Sequence, residues 1–356
     1  MAPIKIAIIG LGGVGKAFLA QLANLRLSTE KPAVIFASRS SKQIYNQSYE
    51  PIDASQLDSS DSPLLSLDKL REWLSAAPGT VVLVDNTSNQ DVANAYPAFL
   101  KAGISVVTPN KKAFSSDLKL WDDIFNSQTQ KSFIYHESSV GAGLPVISTL
   151  KDLVATGDEI VKVQGVFSGT MSFLFNTFAP VDGSGKGKWS DIVSQAKEAG
   201  YTEPDPRDDL NGMDVARKCT ILARLAGLRV DGPESFPVQS LIPKELESAS
   251  NAAEFMKRLP DFDGEMESYK DKAAKAGKVV RFVASVDVAN NKVSVGLEMV
   301  EKESPIAALK GSDNIFVFQT KRYSSSPLVV QGSGAGGEVT AMGVSADLIK
   351  VIERLS

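Results

Sequence analysis

The stretch KIAIIGLGGVGKAFLAQLANL, residues 5–25, decides the fold of the first half of the chain. It opens with a short apolar run, the form expected of a buried parallel strand, and ends with apolar residues at helical spacing. Between them, GLGGVG fits the pattern G-x-G-x-x-G. Glycines in this position let the backbone approach a pyrophosphate at a helix N-terminus. We therefore expect a dinucleotide site rather than a tight turn without ligand, with contacts from Gly10, Leu11, Gly12, Gly13, Val14 and Gly15.

Composition narrows the class of protein. The chain has 356 residues, which is long enough for two domains. Its formal charge is −4, which gives no reason to expect nucleic acid or an anionic membrane as a partner. No apolar run approaches the roughly 20 residues of a membrane span, and the N-terminus lacks the features of a signal peptide, so we expect a cytoplasmic protein. A single cysteine, Cys219, and a single histidine, His136, exclude an internal disulfide and a metal centre built from several such residues.

The end of the second predicted strand, Ala33–Ser38, bears on the choice of cofactor. NAD-preferring sites commonly place an acidic residue there to hold the ribose 2′-hydroxyl. Here the chain reads SRSSK and supplies Arg39 and Lys42 instead. These cations favour a 2′-phosphate and hence NADP; the alternative for Arg39 is an ordinary solvated loop residue.

Polar clusters follow the other predicted strands of the first half. Because ligands of doubly wound sheets lie beyond the carboxyl ends of the strands, we expect cofactor contacts from Asn86, Thr87 and Ser88, which are also good helix caps. TPNKKAF places Lys111 at a similar end, and we expect it to be a site residue, with Lys112 a solvated neighbour. A glycine-rich segment at 332–337 enters a terminal helix and brings Gly336 to the cofactor.

The second half has a different pattern. A strand, a Ser-Gly-Thr turn and an apolar helix are followed by several strands that alternate with turns. The sequence therefore predicts an α/β protein in two parts. Residues 1–150, completed by about 338–356, form a Rossmann-type doubly wound parallel sheet. Residues 151–337 form an α+β substrate-binding, catalytic and dimerisation domain on an open, mainly antiparallel sheet.

GYTEPDPRDDLNGMDVARKCTILARLAG, residues 200–227, joins an acidic loop to a helix expected at about 213–228. Asp214 and Lys218 lie one turn apart on a helix face that continues with the apolar residues Ile221 and Leu225. This change from polar to apolar indicates that the Asp214–Lys218 pair lies at the edge of the core. An exposed pair at this spacing would contribute only about 0.3–0.5 kcal/mol. Beside a dinucleotide domain, a partly buried Lys218 suits proton transfer, and Glu203 or Asp208 suits a substrate ammonium group. The mostly polar helix face formed by Met213, Arg217, Thr220 and Arg224 is expected to face solvent.

His136 and the loop after it invite two interpretations each. A lone histidine is more often structural than catalytic, and we expect His136 to be structural. The loop ESSVGAGL, 137–144, is rich in glycine and presents backbone carbonyls that would suit a cation, although its spacing alone does not establish such a site.

The chain resembles the monofunctional, fungal type of homoserine dehydrogenase over essentially its whole length. The matching segments, in order, are GLGGVG, DNTS, TPNKKAFSSDL, YHESSVGAGLP, FSGTMSFLFN, GYTEPDPRDDLNGMDVARK, FPVQSLIP and GAGGEVTA. The resemblance implies reversible, NAD(P)-dependent reduction of L-aspartate 4-semialdehyde to L-homoserine, on the route to threonine, methionine and isoleucine. It also implies a homodimer and a bound monovalent cation, Na⁺ or K⁺.

Residue roles follow from the same resemblance. It implies Asp214 and Lys218 as the catalytic pair, with Lys111 a cleft lysine near substrate and nicotinamide and the alternative proton donor. The implied substrate-binding residues are Glu203, Asp208, Lys111, Gly169 and Thr170. The implied cation ligands, mostly backbone oxygens, are Glu137, Val140, Ala142 and Leu144.

Two other functions remain open from the residues alone. One is a sugar or inositol dehydrogenase of similar plan, which commonly uses a Lys-Pro pair or a histidine in the cleft. Here Lys111 and Lys112 are instead preceded by Pro-Asn, and the single histidine is His136. The other is a non-catalytic NADP-binding regulator, which would need neither Asp214 nor Lys218.

Overall fold

The computed structural model describes residues 4–28 and 30–355 and consists of two compact units. The first unit contains residues 1–147 and 335–356, and the second contains residues 148–334. Among the described residues, no helix has both the length and the apolar character that a bilayer crossing requires.

The strands and helices predicted from the sequence occur in the predicted order, and the structure adds further elements between them. The strands are β1 (Lys5–Ile9), β2 (Ala33–Ser38), β3 (Gln43–Tyr45), β4 (Val81–Asp85), β5 (Ser105–Val107), β6 (Ile134–Tyr135), β7 (Ile160–Val166), β8 (Lys278–Asp287), β9 (Lys292–Glu301), β10 (Asn314–Thr320) and β11 (Leu328–Gly332). The helices are α1 (Gly13–Ala23), α2 (Leu67–Ser75), α3 (Gln90–Lys101), α4 (Lys112–Ser115), α5 (Leu118–Asn126), α6 (Val146–Ala155), α7 (Gly169–Phe178), α8 (Trp189–Glu198), α9 (Arg207–Leu210), α10 (Met213–Leu225), α11 (Ala252–Arg258), α12 (Asp263–Lys275), α13 (Pro305–Ala308) and α14 (Gly337–Leu355).

The sheet of the first unit has the strand order β3-β2-β1-β4-β5-β6. All neighbours pair in parallel except β3, which runs antiparallel to β2. The central strands are buried apolar runs, as expected when helices cover both faces. This is the order of a dinucleotide-binding fold, in which the strand order reverses beside β1 and leaves a crevice at the carboxyl ends. The predicted Rossmann-type sheet is confirmed.

The C-terminal helix α14 completes the first unit. It packs against α1 through one apolar core that includes Phe18, Leu22, Val344 and Leu348. Residues more than 300 positions apart in sequence therefore stabilise the same helix pair. This packing fixes the start of α14 close to the start of α1.

The second unit is built on an antiparallel sheet with the strand order β11-β10-β7-β8-β9. Its longest pairing joins β8 to β9 over ten residues each, through a turn in which Asn291 has φ +51°. Asp287 accepts hydrogen bonds from the backbone and side chain of Asn290 and so closes that turn. The predicted open antiparallel sheet is confirmed.

Candidate active site

The glycine turn after β1 has the geometry of a close backbone approach. Gly10 has φ +92°, and a Cβ there would lie 2.7 Å from Cγ2 of Thr87. A Cβ on Gly15 would lie 2.3 Å from the carbonyl oxygen of Gly10, so only glycine lets α1 begin this near to β1. Cβ atoms on Gly12 or Gly13 would meet nothing within 4 Å. The N-terminus of α1 therefore faces open space that an anionic group can occupy.

Gly337, the first residue of α14, lies beside the same turn. A Cβ on Gly337 would be 3.7 Å from the carbonyl carbon of Gly13, an ordinary contact distance. The preceding Gly336 has φ +111°, a conformation that favours glycine. The glycine-rich entry to α14 and the glycine-rich turn before α1 thus line one region of the first unit.

At the end of β4, Asp85 organises the loop that carries Lys111. The buried Asp85 carboxylate accepts hydrogen bonds from the Tyr96 hydroxyl, from the Thr87 N–H at 2.8 Å and from Nδ2 of Asn110 at 3.1 Å. Burial raises the pKa of Asp85, while the hydrogen bonds from Tyr96, Thr87 and Asn110 oppose that shift. Asn110 is thereby fixed, and Lys111 follows it as the half-buried residue at the start of α4.

Asn86 is the side chain at this edge of the sheet that best suits contact with a polar ligand. Its backbone N–H donates to the Ile9 carbonyl at 2.8 Å, which ties it to the end of β1. Its side-chain Nδ2 and Oδ1 are both buried and have no hydrogen-bond partner among the described residues. A buried amide without partners is unfavourable by about 1–3 kcal/mol, so a polar ligand at this place would be stabilising.

Arg39 is held at the end of β2 by two contacts. Its Nε donates to the Leu11 carbonyl at 2.8 Å, and its Nη1 lies 2.7 Å from Oδ1 of Asp58. Nζ of Lys42 donates to the Asp58 carbonyl at 2.5 Å. The guanidinium therefore lies next to the glycine turn, paired with an exposed carboxylate that sequence reasoning did not identify.

His136 has a structural environment. It is 1% exposed, and its ring stacks on Phe114 with centroids 4.0 Å apart. Its Nδ1 lies 3.0 Å from the Ser139 hydroxyl. These contacts agree with the predicted structural role.

The loop after His136 is tightly folded around Glu137. Glu137 is 5% exposed, and its Oε1 accepts a hydrogen bond from the Ile147 N–H at 2.7 Å. Ala142 has φ +53°, which is uncommon for a residue with a Cβ. Among the described residues, no hydrogen bond is made to the carbonyl oxygens of the buried Val140 or Ala142. Buried carbonyls are nearly always paired, so these two oxygens are suited to a cation.

In the second unit, Lys218 of α10 is held by two acceptors. Its Nζ lies 2.8 Å from Oδ2 of Asp214 and 2.7 Å from the carbonyl oxygen of Phe167. Lys218 is 8% exposed, whereas the Asp214 side chain is 45% exposed. The Asp214–Lys218 pair thus lies at the edge of the core, as the sequence pattern of this helix face predicted. Phe167 precedes the Ser-Gly-Thr turn, and its backbone contact could not be read from the sequence.

The acidic loop separates into carboxylates with different functions. Asp205 forms an ion pair with Arg207 at 2.6 Å, while Glu203 and Asp208 are exposed. Asp209 accepts hydrogen bonds from the Glu203 N–H at 2.8 Å and from the Thr170 hydroxyl at 2.9 Å. Sequence reasoning missed this residue, although it lies in the same run of acids.

Asp209 joins the acidic loop to the first turn of α7. The Thr170 hydroxyl oxygen lies 2.6 Å from the Tyr201 carbonyl oxygen and 2.9 Å from Oδ1 of Asp209. The single hydroxyl hydrogen can be donated to either of these two acceptors. Burial raises the pKa of Asp209, hydrogen bonds from Glu203 and Thr170 oppose that shift, and the nearby charge of Asp214 adds to it. The contact fixes the backbone of Glu203 beside Thr170, with Gly169 next to it at the start of α7.

The expected solvent face of α10 is wrong for Thr220 and Arg224, which are buried, whereas Met213 and Arg217 are half-buried. Thr220 and Arg224 are 0% and 6% exposed. The Thr220 hydroxyl donates to the Ala216 carbonyl at 2.9 Å, and Nε of Arg224 donates to the Val230 carbonyl at 3.0 Å. Both polar groups find backbone acceptors nearby, so this part of the helix face can be buried. The helix also ends at Leu225, earlier than expected, because Gly227 takes φ +96° and turns the chain.

Comparison with known proteins assigns the family. A family model described as homoserine dehydrogenase matches residues 145–349, and one described as homoserine dehydrogenase, NAD binding domain, matches residues 10–137. The homoserine dehydrogenase of Emericella nidulans is 60% identical, over 99% of this chain and 100% of the relative. This chain belongs to the homoserine dehydrogenase family. The Saccharomyces cerevisiae homoserine dehydrogenase is 47% identical over 99% of each chain.

Solved structures agree with this family. A Candida auris protein described as being of unknown function has a TM-score of 0.95 at 48% identity, over 99% of each chain. A putative homoserine dehydrogenase from Archaeoglobus fulgidus has a TM-score of 0.74 at 25% identity, over 98% of this chain and 99% of the other. The chain is thus an oxidoreductase of the homoserine dehydrogenase family with an NAD-binding domain, and the resemblance noted from its motifs is confirmed.

Proposed function

We propose that this chain catalyses the reversible, NAD(P)-dependent reduction of L-aspartate 4-semialdehyde to L-homoserine, a step toward threonine, methionine and isoleucine. The observation that carries the proposal is the buried Lys218 ammonium between Asp214 and the Phe167 carbonyl. Membership in the homoserine dehydrogenase family supplies the substrate class.

The direct test is homoserine-dependent reduction of NADP⁺ and NAD⁺, followed by the absorbance of the reduced nicotinamide. We expect turnover with homoserine. Cofactor binding without turnover would contradict the proposed reaction and favour a regulator.

The proposed chemistry needs a proton at the carbonyl oxygen. A nicotinamide cofactor held by the glycine turn and by the Asn86, Thr87 and Ser88 segment would supply the hydride for the aldehyde carbon. Lys218 donates a proton from Nζ to the oxygen on which negative charge develops, and it takes the proton back in the reverse direction. Asp214 orients Lys218 through the 2.8 Å ion pair. Lys111, at the end of β5 in the first unit, is the alternative donor and is assigned to the nicotinamide and substrate.

Glu203 and Asp208 are the proposed carboxylate ligands of the substrate ammonium group, with Gly169 and Thr170 beside them. Glu203 is the better placed, because Asp209 fixes its backbone N–H at 2.8 Å. We expect Glu203→Gln to raise the KM for homoserine by about 10–100-fold through loss of a charge-assisted hydrogen bond, with a smaller effect on kcat.

The matched variant Asp208→Asn removes a neighbouring exposed carboxylate and should raise the KM less. Steady-state kinetics with homoserine varied at saturating cofactor makes the comparison. A KM in Glu203→Gln equal to that of the unaltered enzyme would contradict the assignment.

The proposed cofactor contacts are Gly10–Gly15, the Asn86, Thr87 and Ser88 segment, Lys111 and Gly336, with Arg39 giving a preference for NADP. The 2.7 Å pair between Arg39 and Asp58 is exposed, and such pairs contribute about 0–1 kcal/mol, so a 2′-phosphate can replace Asp58. We expect Arg39→Ala to lower the ratio of kcat/KM for NADP⁺ over NAD⁺ by about tenfold or more.

The control for this prediction is Asp58→Ala, which removes the competing carboxylate. It should leave the ratio unchanged or raise it. Steady-state kinetics with each cofactor in turn gives both ratios, and an Arg39→Ala ratio equal to the starting one would refute the role of Arg39.

A monovalent cation, Na⁺ or K⁺, is proposed at the loop 137–144. Glu137 supplies a carboxylate, and Val140, Ala142 and Leu144 supply backbone carbonyls. The two buried carbonyls without described hydrogen bonds fit this donor set, which is all oxygen, as a hard cation requires. In this site the cation would stabilise the turn that contains Ala142.

A homodimer located in the cytoplasm is also proposed. The family resemblance implies the dimer and assigns it partly to the antiparallel sheet. The outer strands β9 and β11 expose Met299 and Val329 by 48% and 38%, which is apolar surface suited to a second copy. Light scattering coupled to gel filtration tests the mass of the particle.

A further inference from the structure

Lys350 of α14 is directed at the carboxylate of the proposed cation loop. Its Nζ lies 2.9 Å from Oδ1 of Asp347 and 3.6 Å from Oε2 of Glu137. It also lies 5.7 Å from the centre of the Tyr135 ring. A fixed ammonium group therefore stands beside the one acidic ligand proposed for the cation.

Asp347 keeps this ammonium in place. Asp347 is 1% exposed, and its Oδ2 accepts a hydrogen bond from the Glu137 N–H at 2.6 Å. Burial raises the pKa of Asp347, and the charge of Lys350 opposes that shift. Burial also acts against the charged form of Lys350, but Asp347 and Glu137 outweigh it and raise the pKa of Lys350. Withdrawal of Lys350 would leave a buried carboxylate without its cation, which is strongly unfavourable.

The charges of this cluster set the charge of the ion that it accepts. Two carboxylates and one ammonium leave a single negative charge among Glu137, Asp347 and Lys350. A monovalent cation neutralises that charge. A divalent cation would leave an excess positive charge close to the Lys350 ammonium. The Lys350 side chain is 36% exposed, so solvent screens part of this repulsion, but the buried carboxylates beside it are poorly solvated.

The contacts of the Glu137 carboxylate also disfavour a divalent cation. Its Oε1 accepts from the Ile147 N–H at 2.7 Å, and its Oε2 faces Lys350 at 3.6 Å. Ca²⁺ sites commonly use a bidentate carboxylate within a shell of about 6–8 oxygens. Because Oε1 is hydrogen-bonded and Oε2 lies at ion-pair distance from Lys350, Glu137 is better suited to a single contact with a cation than to a bidentate one.

We propose that Lys350 is the specificity-determining residue that makes the loop 137–144 select a monovalent over a divalent cation. The proposal rests on the proposed cation site. In this proposal a residue of α14, more than 200 positions from the loop in sequence, controls which ion the loop accepts.

The test is cation binding to enzyme freed of metal ions by chelation and dialysis into a tetramethylammonium buffer. Titration calorimetry with NaCl, KCl and CaCl₂, and ²³Na line broadening, measure binding without any assay of activity. We expect Lys350→Met to raise the affinity for Ca²⁺ relative to Na⁺ by about tenfold or more, because a nearby positive charge is removed.

Lys350→Arg is the matched control, because it keeps the charge and should keep the preference for a monovalent ion. Asp347→Asn should act in the opposite direction to Lys350→Met: it removes a negative charge and should weaken the binding of Ca²⁺ more than that of Na⁺, which lowers the ratio of the two affinities. This second variant keeps the proposal testable if Lys350→Met fails to fold, which circular dichroism would reveal.

The outcomes separate the two proposals. If the unaltered enzyme binds neither Na⁺ nor K⁺ at the loop, the cation site itself is wrong. If it binds them, but Lys350→Met keeps the same ratio of Ca²⁺ to Na⁺ affinity, the cation site stands and the role of Lys350 is refuted. The proposed control by charge is refuted as well if Asp347→Asn keeps the same ratio of Ca²⁺ to Na⁺ affinity as the unaltered enzyme.

Discussion

Lys218→Ala is expected to lower kcat for homoserine oxidation by about 10²–10⁴-fold, the usual contribution of a positioned general acid or base. The affinity for NADP⁺ should stay the same, because Lys218 belongs to the second unit and the glycine turn belongs to the first. Stopped turnover with intact cofactor binding is the signature of a residue that acts on the reacting oxygen.

The physical reason lies in the placement of the amine. Lys218 is 8% exposed, and its Nζ lies 2.8 Å from Asp214 and 2.7 Å from the Phe167 carbonyl. A water molecule that replaces the missing amine would be neither charged nor fixed by these acceptors, so it would stabilise a developing alkoxide poorly. Lys218→Arg keeps the charge but should remain impaired, because a guanidinium releases its proton far less readily than an amine.

Two further variants control for damage to the helix. Asp214→Asn keeps the shape of the partner and should lower kcat less than Lys218→Ala, since Lys218 retains the Phe167 carbonyl as an acceptor. Arg217→Ala alters the neighbouring position of α10, which is only half-buried, and should leave kcat close to its starting value. Steady-state kinetics with fluorescence titration of NADPH makes the comparison. Near-normal turnover in Lys218→Ala would transfer the proton-donor role to Lys111.

Local patterns in the sequence predicted those parts of the fold and site that depend on near neighbours. The glycine turn, its strand and its helix occupy 19 consecutive residues from Lys5 to Ala23, and their geometry follows from short-range sterics. Asp214 and Lys218 are one helical turn apart, so a helix brings them together whatever surrounds it. Both predictions needed only the period of the helix and the apolar pattern.

Contacts between distant residues could not be predicted in this way. Asp347 accepts the Glu137 N–H across 210 residues, and nothing near either residue in sequence marks the partner. The burial of Arg224 depends on carbonyl groups of the chain after α10 that happen to lie within reach. A polar residue reads as solvent-facing until its acceptors are known, which is why the expected polar face of α10 was wrong.

The second large effect is expected in the glycine turn, where Gly15 is required for packing and Gly12 is expected to leave space for the cofactor. Gly15→Ala should lower the thermal stability of the protein, because its Cβ would lie 2.3 Å from the Gly10 carbonyl oxygen. That oxygen belongs to the backbone at the end of β1 and cannot move aside as a flexible side chain would. Overpacking of this kind typically destabilises by about 1–3 kcal/mol, and a rigid backbone contact belongs at the upper end.

Gly12→Ala is the matched variant, because a Cβ there would meet nothing within 4 Å. Its melting temperature should fall less than that of Gly15→Ala, since alanine in place of glycine at a helix N-cap costs about 1 kcal/mol and creates no overlap with the backbone. Its Kd for NADP⁺ should rise by about tenfold or more, because the Cβ would occupy space that the pyrophosphate needs next to the N-terminus of α1.

Calorimetric melting and fluorescence titration of NADPH, run on both variants, separate packing from binding. Loss of stability in Gly15→Ala with loss of cofactor affinity in Gly12→Ala would mean that the open space at the start of α1 is the phosphate site. If Gly12→Ala binds NADP⁺ as tightly as the unaltered enzyme, the turn serves only to pack α1 against β1, and the pyrophosphate must lie elsewhere. The motif alone cannot distinguish these two cases, because both require glycine at the same positions.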